Sequence, residues 1–574
     1  MTRARAALAV VLLVAAAIRV VAWLEVRDGA LPWLHRWTES DMAFFDEWAR
    51  SIAAGDVLGR KTPRPYHTGH AGVARAAHQM LGRTEPFDEA VGRAMWAHWL
   101  GEHTYYQDPL YPYALATVYA ATERRIGAVV LLQAALGVVT AGLVWAIANA
   151  LFGTAAGLAA GLLAALYGPE VFHEELLLRD APLAGVAVAT LAVLIAALRR
   201  PRERRWLFVA GLLFGVGVLL KSSMLLFALA AGTLVIRRVG GAGLMAAGAL
   251  VALVPLVARN VAVGAPPLAL AASGPHAFLY YNAADYDPFG GAATSAYAPR
   301  IMAATDGRWV PVVRETLATH RSPSGWLGLL GEKLGASWHW LEVPDNASYY
   351  YWRLEAPWAA RAAVEFWLVA PLAVVGAVAG LRRGAAVWCV VLLVATSIAA
   401  NVLFYTSARL RLPVALGMTP LAGFGLVELV RAAVARRWRR AVVLGAAGAA
   451  TALVVLRPAP AGHTGIRVAD YGVANEITGH LARRRAAAGD AAGARALVAR
   501  RLATEPPALR DVSPAQGETR LSPLDAGAAG SFAELNALAA TLADGDGAAP
   551  YREHARRLRV IARQYDGARE GLRP

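Results

Sequence analysis

Apolar runs about the length of a membrane span recur along the chain as far as residue 456. They fall at 6–26, 127–150, 155–173, 181–198, 206–220, 222–236, 243–258, 360–380, 385–404, 412–430 and 441–456. A helix crossing a bilayer needs about 20 residues, with about 17 as a usual lower limit. The pattern predicts eleven spans, of which 206–220 and 222–236 are short and have a rival reading as one long helix through Lys221. Two long polar stretches, 27–126 and 259–358, interrupt the apolar runs. Within the first, Asp41, Phe45, Trp48 and Ile52 recur every three to four residues, which predicts an amphipathic helix with an acid at its start. The run 110–122 predicts a second amphipathic helix lying at the membrane interface. After residue 457 the chain becomes Ala- and Arg-rich and soluble, with a helical stretch over 473–503. Its part from Leu481 to Pro506, bending at Gly489-Asp490, resembles one tetratricopeptide-like helical hairpin.

Composition agrees with this pattern. A chain of 574 residues that is 57% hydrophobic lies outside the soluble globular class. A net charge of +16 would suit a nucleic-acid binder, but no nucleic-acid motif is visible and the arginines cluster between apolar runs. Those clusters orient the chain. With 206–220 and 222–236 counted separately, Arg3 and Arg5, Arg199 to Arg205, Arg237-Arg238, Arg382-Arg383 and Arg431 to Arg440 share one face, the inner one. Merging the two would put the last three clusters outside. The reading is eleven spans, N-terminus inside and C-terminus outside. Arg19 interrupts the first apolar run and no small-residue cleavage site follows, so that run reads as an uncleaved helix. The lone cysteine, Cys389, lies in an apolar run and has no internal partner.

This topology gathers ionisable residues from distant parts of the chain on the outer face: Asp41, the corner at Glu174 and Glu175, Lys221, and Arg409 with Arg411. An acid at a helix start is either a cap or a base. Lys221, between two apolar runs, is either an interfacial anchor or a point charge for phosphate. Arg409 and Arg411 stand where arginine should be scarce, which asks for an anionic partner. Asp108 and Tyr111 belong to Tyr106-Gln107-Asp108-Pro109-Leu110-Tyr111-Pro112-Tyr113, whose tyrosines suit an interface. Tyr280-Tyr281-Asn282 and Trp338-His339-Trp340 suit sugar rings or an aromatic interfacial belt equally. His67 and His70, in an inserted segment 56–104, suggest a solvated loop before a metal site. Asn346-Ala347-Ser348 fits a glycosylation sequon, a pattern short enough to arise by chance.

Five of these stretches, in order, resemble the GT-C glycosyltransferases, the polytopic enzymes that use polyprenyl-phosphate sugars. They are Asp41-Met42-Ala43-Phe44-Phe45-Asp46-Glu47-Trp48-Ala49, Tyr106 to Tyr113, Ala165 through Glu174 to Arg179, Lys333 to Asn346, and Arg409-Leu410-Arg411-Leu412-Pro413. The likeness extends to protein mannosyltransferases, the lipid A aminoarabinose transferase and lipopolysaccharide galacturonosyltransferases. Two departures stand out: Met42, where many members carry a second acid, and the 56–104 insertion. The likeness covers roughly residues 5–430 and implies a mainly α, polytopic helical bundle, which the apolar pattern extends over 1–456 with outer loops 27–126 and 259–358; the soluble helical region over 457–574 is read from composition alone. The resemblance implies transfer of a sugar from a polyprenyl-phosphate donor to a lipid, glycan or protein acceptor at the outer face of the cytoplasmic membrane. Asp41 would take the acceptor proton, and Glu174 would orient either the acceptor or a divalent metal ion. Lys221, Arg409 and Arg411 would hold the phosphate, with Asp108, Tyr111 and Asn282 as further substrate-binding residues. The rival class is a transporter or lipid flippase, which would require mid-span polar residues and internally repeated halves that the chain lacks. A scaffold role for the C-terminal region is compatible with catalysis.

Overall fold

The structure is a computed structural model that describes residues 3–60, 64–290, 294–511 and 521–571. Helices occupy all eleven apolar positions: Arg3–Val26, Ile126–Phe152, Thr154–Ala165, Asp180–Arg199, Arg205–Leu220, Met224–Val239, Ala242–Val263, Phe366–Gly380, Ala385–Leu403, Leu412–Val434 and Trp438–Val455. Among the described residues, eight helices are long and apolar enough to cross a membrane. Thr154–Ala165, Arg205–Leu220 and Met224–Val239 are shorter, at 12, 16 and 16 residues.

One boundary was open in the sequence, and one expected span, 155–173, is corrected by the structure. Lys221 is extended, with φ −159° and ψ 120°, so the chain breaks there into two helices and no single helix runs through it. The apolar run 155–173, by contrast, is not one helix. It stops at Ala165, and Tyr167 leaves helical geometry to form a β-bridge with Val364. Gly168 then donates to the Val364 carbonyl at 2.9 Å, and Pro169 in the first turn starts a new helix, Gly168–Glu174. Apolarity marked this run as buried but carried no information about the break.

Short as it is, Arg205–Leu220 still runs between the two ends of the bundle. Asp180–Arg199 begins at the end that carries Asp41 and finishes where Arg199 donates to the Ala150 carbonyl at the other. Arg205–Leu220 returns from there, bringing Lys221 to 3.5 Å from Asp180. Close approach of neighbouring helices depends on glycine. A Cβ at Gly211 would lie 1.9 Å from the Met245 carbonyl oxygen, and one at Gly376 would lie 1.9 Å from that of Leu421. Small residues at such crossings are how membrane helices pack without a hydrophobic driving force between them.

The polar stretches fold into short helices stacked over one end of this bundle. Asp41–Ala53 and Leu110–Thr122 pack on one another, with Phe45 edge-on to Tyr111 at 5.2 Å. The inserted segment is not a solvated loop. It forms Thr68–Met80 and Glu89–Leu100, which bury Val73, Trp96 and Trp99 together with His70 and His78. Beyond residue 457 there are two helical hairpins, Val468–Ala487 with Ala491–Leu502 and Pro523–Leu542 with Ala548–Gly571. The first begins at Val468, earlier than the expected Leu481, and turns at Gly489, where φ is +87°. The first hairpin docks on the stacked helices, and the second packs against the first. Arg501 is buried against Glu355 at 2.5 Å, and Arg467 donates to the Asp345 carbonyl. The described helices beyond residue 457 thus lie at the same end of the bundle as Asp41.

Candidate active site

Between the stacked helices and the bundle lies a cleft of about 1010 Å³. Asp41, Asp108, Lys221 and Arg409 line it, whereas Glu174, Arg411, Tyr111 and Asn282 do not. Half of the residues expected from the sequence are therefore gathered in one place.

Asp41 reaches the cleft because another residue does the capping. Ser40 is the N-cap of Asp41–Ala53 and accepts from the Ala43 N–H at 3.2 Å, which leaves the Asp41 carboxylate free to turn away. Gln107 Nε2 donates to Asp41 Oδ1 at 2.9 Å and Asn346 Nδ2 to Oδ2 at 3.1 Å, while the Asp41 N–H donates to Asn346 Oδ1 at 2.6 Å. Arg409 Nη1 completes the set at 2.8 Å from Asp41 Oδ2. Burial acts to raise the Asp41 pKa, but Arg409, Arg179 and the two amides outweigh it and hold the carboxyl below its usual range.

Arg409 is the hub. Its Nη1 also lies 3.4 Å from Asp180 Oδ2, its Nε 2.5 Å from Asp345 Oδ2, and its Nη2 donates to the Tyr405 hydroxyl at 2.5 Å. Asp180 in turn faces Lys221 Nζ at 3.5 Å, so an alternating series Asp41–Arg409–Asp180–Lys221 runs along the cleft. Beside it Arg179 pairs with Asp108 at 3.0 Å. Lys221 lies in the turn between two helices, where burial lowers its pKa to about 8 against the pull of Asp180. A lysine poised in this way is a cation that titrates near neutrality.

The other four expected residues have protein partners elsewhere. Glu174 accepts from Arg19 Nη2 at 2.6 Å in an apolar groove between Arg3–Val26 and Ile126–Phe152, and Gly137 leaves room for the pair. Arg411 is two residues from Arg409 yet points away. It pairs with Glu342 at 2.6 Å, donates to the His339 carbonyl and lies over the Phe366 ring at 4.2 Å. The Tyr111 hydroxyl donates to Gln133 Oε1 at 2.9 Å. Asn282 is fully buried and accepts from Lys333 Nζ at 2.9 Å, tying that loop to the Phe404 carbonyl through the same ammonium.

The sequence reading missed Asp180, Arg179, Asp345, Asn346, Gln107 and Tyr405 as members of the site. Arg179 closes one quoted motif with Asp180 next to it, and Asp345-Asn346 sits inside another, so the signal was present but fell on neighbouring residues. The sequon is a chance match: the Asn346 amide is spent on Asp41, and Ser348 Oγ donates to the Gly465 carbonyl at 2.6 Å. Trp338 and Trp340 pack away from the cleft, and Tyr280 and Tyr281 line it instead. Among the described residues no three His, Cys, Asp or Glu side chains are gathered to hold a metal ion.

Residues 103–259 match a family profile described as dolichyl-phosphate-mannose-protein mannosyltransferase. The matched stretch includes Asp108, Glu174, Arg179, Asp180 and Lys221 and ends before Arg409. It agrees with the motif resemblance on the class, a membrane glycosyltransferase of GT-C type. No curated protein matches the chain. Among solved structures, ArnT from Cupriavidus metallidurans bound to undecaprenyl phosphate is 15% identical at a TM-score of 0.35, covering 87% of this chain and 71% of that one. The apo oligosaccharyltransferase of Archaeoglobus fulgidus is 14% identical at a TM-score of 0.37, covering 79% of this chain and 55% of that one. The chain thus spans about half the length of that enzyme.

Proposed function

We propose that the chain moves a sugar from a polyprenyl-phosphate carrier to an acceptor hydroxyl in this cleft. One observation carries the reading: a single cleft holds a carboxylate free of capping duty at one point and a cation, Lys221, at another, bridged by Arg409 and Asp180. Lys221 sits in the turn between two membrane helices, and Ala400 and Phe404, at the end of a third, line the cleft nearby. A lipid-linked phosphate entering from the bilayer meets this ammonium first. The acceptor O–H then attacks the anomeric carbon as the bond from that carbon to the phosphate oxygen breaks. Asp41 takes the acceptor proton, and the polyprenyl phosphate leaves with its charge held by Lys221 and Arg409. A positioned carboxylate base contributes about 10²–10⁴-fold, and fixed cations at the leaving group act without reorganising.

The low basicity of Asp41 fits such a step. A weak base accepts the proton late, when the acceptor oxygen has already become acidic by bonding to carbon. We infer eleven spans with the site and the C-terminal region on the outer face of the cytoplasmic membrane. The arginine distribution supports this orientation, and the Arg467–Asp345 contact supports a shared end for the site and the C-terminal helices. The test is binding of undecaprenyl phosphate to detergent-solubilised protein. Wild type should bind it, and Lys221→Met should bind at least tenfold more weakly. Equal binding by both would return Lys221 to the role of an interfacial anchor.

A further inference from the structure

The cleft has a second polar end, built by the insertion that departs from the GT-C pattern. Thr68 anchors the insertion just ahead of the catalytic helix. Its N–H and Oγ1 donate to Glu39 Oε1 at 3.1 and 2.6 Å, two residues before Asp41. This places His67 and His70 in the wall of the cleft, joined by His276 from the second outer stretch. The rings lock one another. His67 is edge-on to His70 at 4.1 Å, and His70 is edge-on to Trp96 at 4.6 Å, whose Nε1 donates to the His70 carbonyl at 2.9 Å. His276 stacks on Tyr106 and shares a hydrogen bond of 3.0 Å with its hydroxyl.

Their polar atoms are left over. His70 is 4% exposed, and both of its ring nitrogens lack a hydrogen-bond partner among the described residues. His67 Nδ1 and His276 Nδ1 lack one too, although His67 Nδ1 lies 3.6 Å from Glu39 Oε2. Buried polar atoms are seldom left this way, and a held ring facing a cleft is where a ligand supplies the missing partner. Burial, with His67 and His276 beside it, lowers the His70 pKa to about 2, and burial lowers His276 to about 4, so the rings are neutral. A neutral imidazole offers one donor and one acceptor, which is also what a hydroxyl offers. An anion would meet only half of that set and would face the Glu39 carboxylate. Trp99 and Trp309 also line the cleft, and indole rings suit the apolar face of a sugar.

We propose that this insertion makes the end of the cleft next to Glu39 an acceptor subsite for an uncharged sugar, whose hydroxyls are read by His67, His70 and His276. The inference rests on the transfer reading above and names the acceptor as a neutral glycan. On the far side of Asp41 from Lys221, the subsite would hold an acceptor hydroxyl facing the base while the lipid phosphate occupies the other end.

The experiment titrates wild type with the neutral methyl glycosides of glucose, galactose and mannose, with their 6-phosphates and with glucosamine, following tryptophan fluorescence. At least one neutral glycoside should bind, its 6-phosphate should bind at least tenfold more weakly, and binding should persist with saturating undecaprenyl phosphate. His70→Leu should weaken the glycoside at least tenfold and raise the acceptor KM while leaving the donor KM unchanged. His70→Gln, which keeps a donor and an acceptor, should recover most of the affinity, and this separates recognition from a folding defect. Glycoside binding that is absent in wild type, unchanged in His70→Leu, or stronger for the phosphate or the amine would overturn the proposal. Failure of wild type to bind undecaprenyl phosphate, with glycoside binding still lost in His70→Leu, would overturn the transfer reading and leave a sugar-binding site.

Discussion

Two buried arginine–carboxylate clusters invite comparison. Arg409 holds Asp41, Asp180 and Asp345 on the wall of a large cleft, and Arg19 holds Glu174 in an apolar groove between two membrane helices. Both draw residues from stretches that resemble GT-C motifs, and both are largely buried, with Asp41 keeping 23% of its side chain exposed. They differ in balance and access. Arg19 and Glu174 pair one to one, with further arginine bonds to the Ala15 and Ala165 carbonyls, as expected of a device that holds helices in register. Around Arg409, Asp41, Asp108, Asp180 and Asp345 face Arg179, Lys221 and Arg409, and among the described residues Lys221 forms an ion pair with Asp180 alone. Acidity and burial alone do not mark a catalytic group. Access to a cleft and a charge that can be re-paired by substrate do.

Replacing either arginine should therefore break different things. Arg409→Ala leaves three carboxylates facing one another. It should abolish transfer and cost about 3–5 kcal/mol of stability, the usual penalty for breaking a buried ion pair. Thermal unfolding read alongside transfer would show both losses, and a variant that kept either property would separate Arg409 from the hub role. Lys221→Met should be milder, raising the donor KM at least tenfold while the protein unfolds near the wild-type temperature.

The lysine also predicts a pH dependence. Its pKa in the protein is depressed to about 8, so the charge is present below that pH and is lost as pH rises through it. kcat/KM for the donor should fall above about pH 8, while kcat, measured with phosphate already bound, should fall at higher pH. Lys221→Arg should remove the basic limb. A limb unmoved by that substitution belongs to another group. Asp41, held below the usual carboxylate range, should place any acid limb lower than an ordinary aspartate would.

Glu174→Gln should show the smallest catalytic effect. The amide keeps a hydrogen bond to Arg19, so transfer should stay within about threefold while stability falls by about 1–3 kcal/mol. Loss of transfer at unchanged stability would move Glu174 into the catalytic step despite its distance from the cleft.

The sequence made some of this legible and concealed the rest for physical reasons. Apolar runs and arginine clusters report on the bilayer, so the positions of the helices could be read directly. The turn at Tyr167 has a local mark in Gly168-Pro169, but the bridge to Val364, almost two hundred residues away, is encoded by no local pattern. Asp41 stood out through helical periodicity. Asp180 and Asp345 did not, because Asp180 joins the site through Arg409 and Lys221 and Asp345 through Arg409 and Tyr405, all contacts of long range in the chain. Arg409 and Arg411 looked equivalent. They diverge because the short 3₁₀ turn over Arg409–Arg411 sends one side chain to the cleft and the other to Glu342.

The central claim is that Asp41 is the base, and Asp46 is its natural control. Asp46 lies in the same helix but is tied to Arg124 at 2.7 Å and to the Tyr119 hydroxyl at 2.8 Å, away from the cleft. Transfer from a radiolabelled polyprenyl-phosphate sugar should be measured in Asp41→Asn, Asp46→Asn and wild type, each shown to be folded and able to bind undecaprenyl phosphate. The account predicts that Asp41→Asn binds the lipid and loses transfer by about 10²–10⁴-fold, while Asp46→Asn retains a substantial fraction of activity. Near wild-type transfer by Asp41→Asn, with Asp46→Asn or Glu174→Gln inactive, would contradict it.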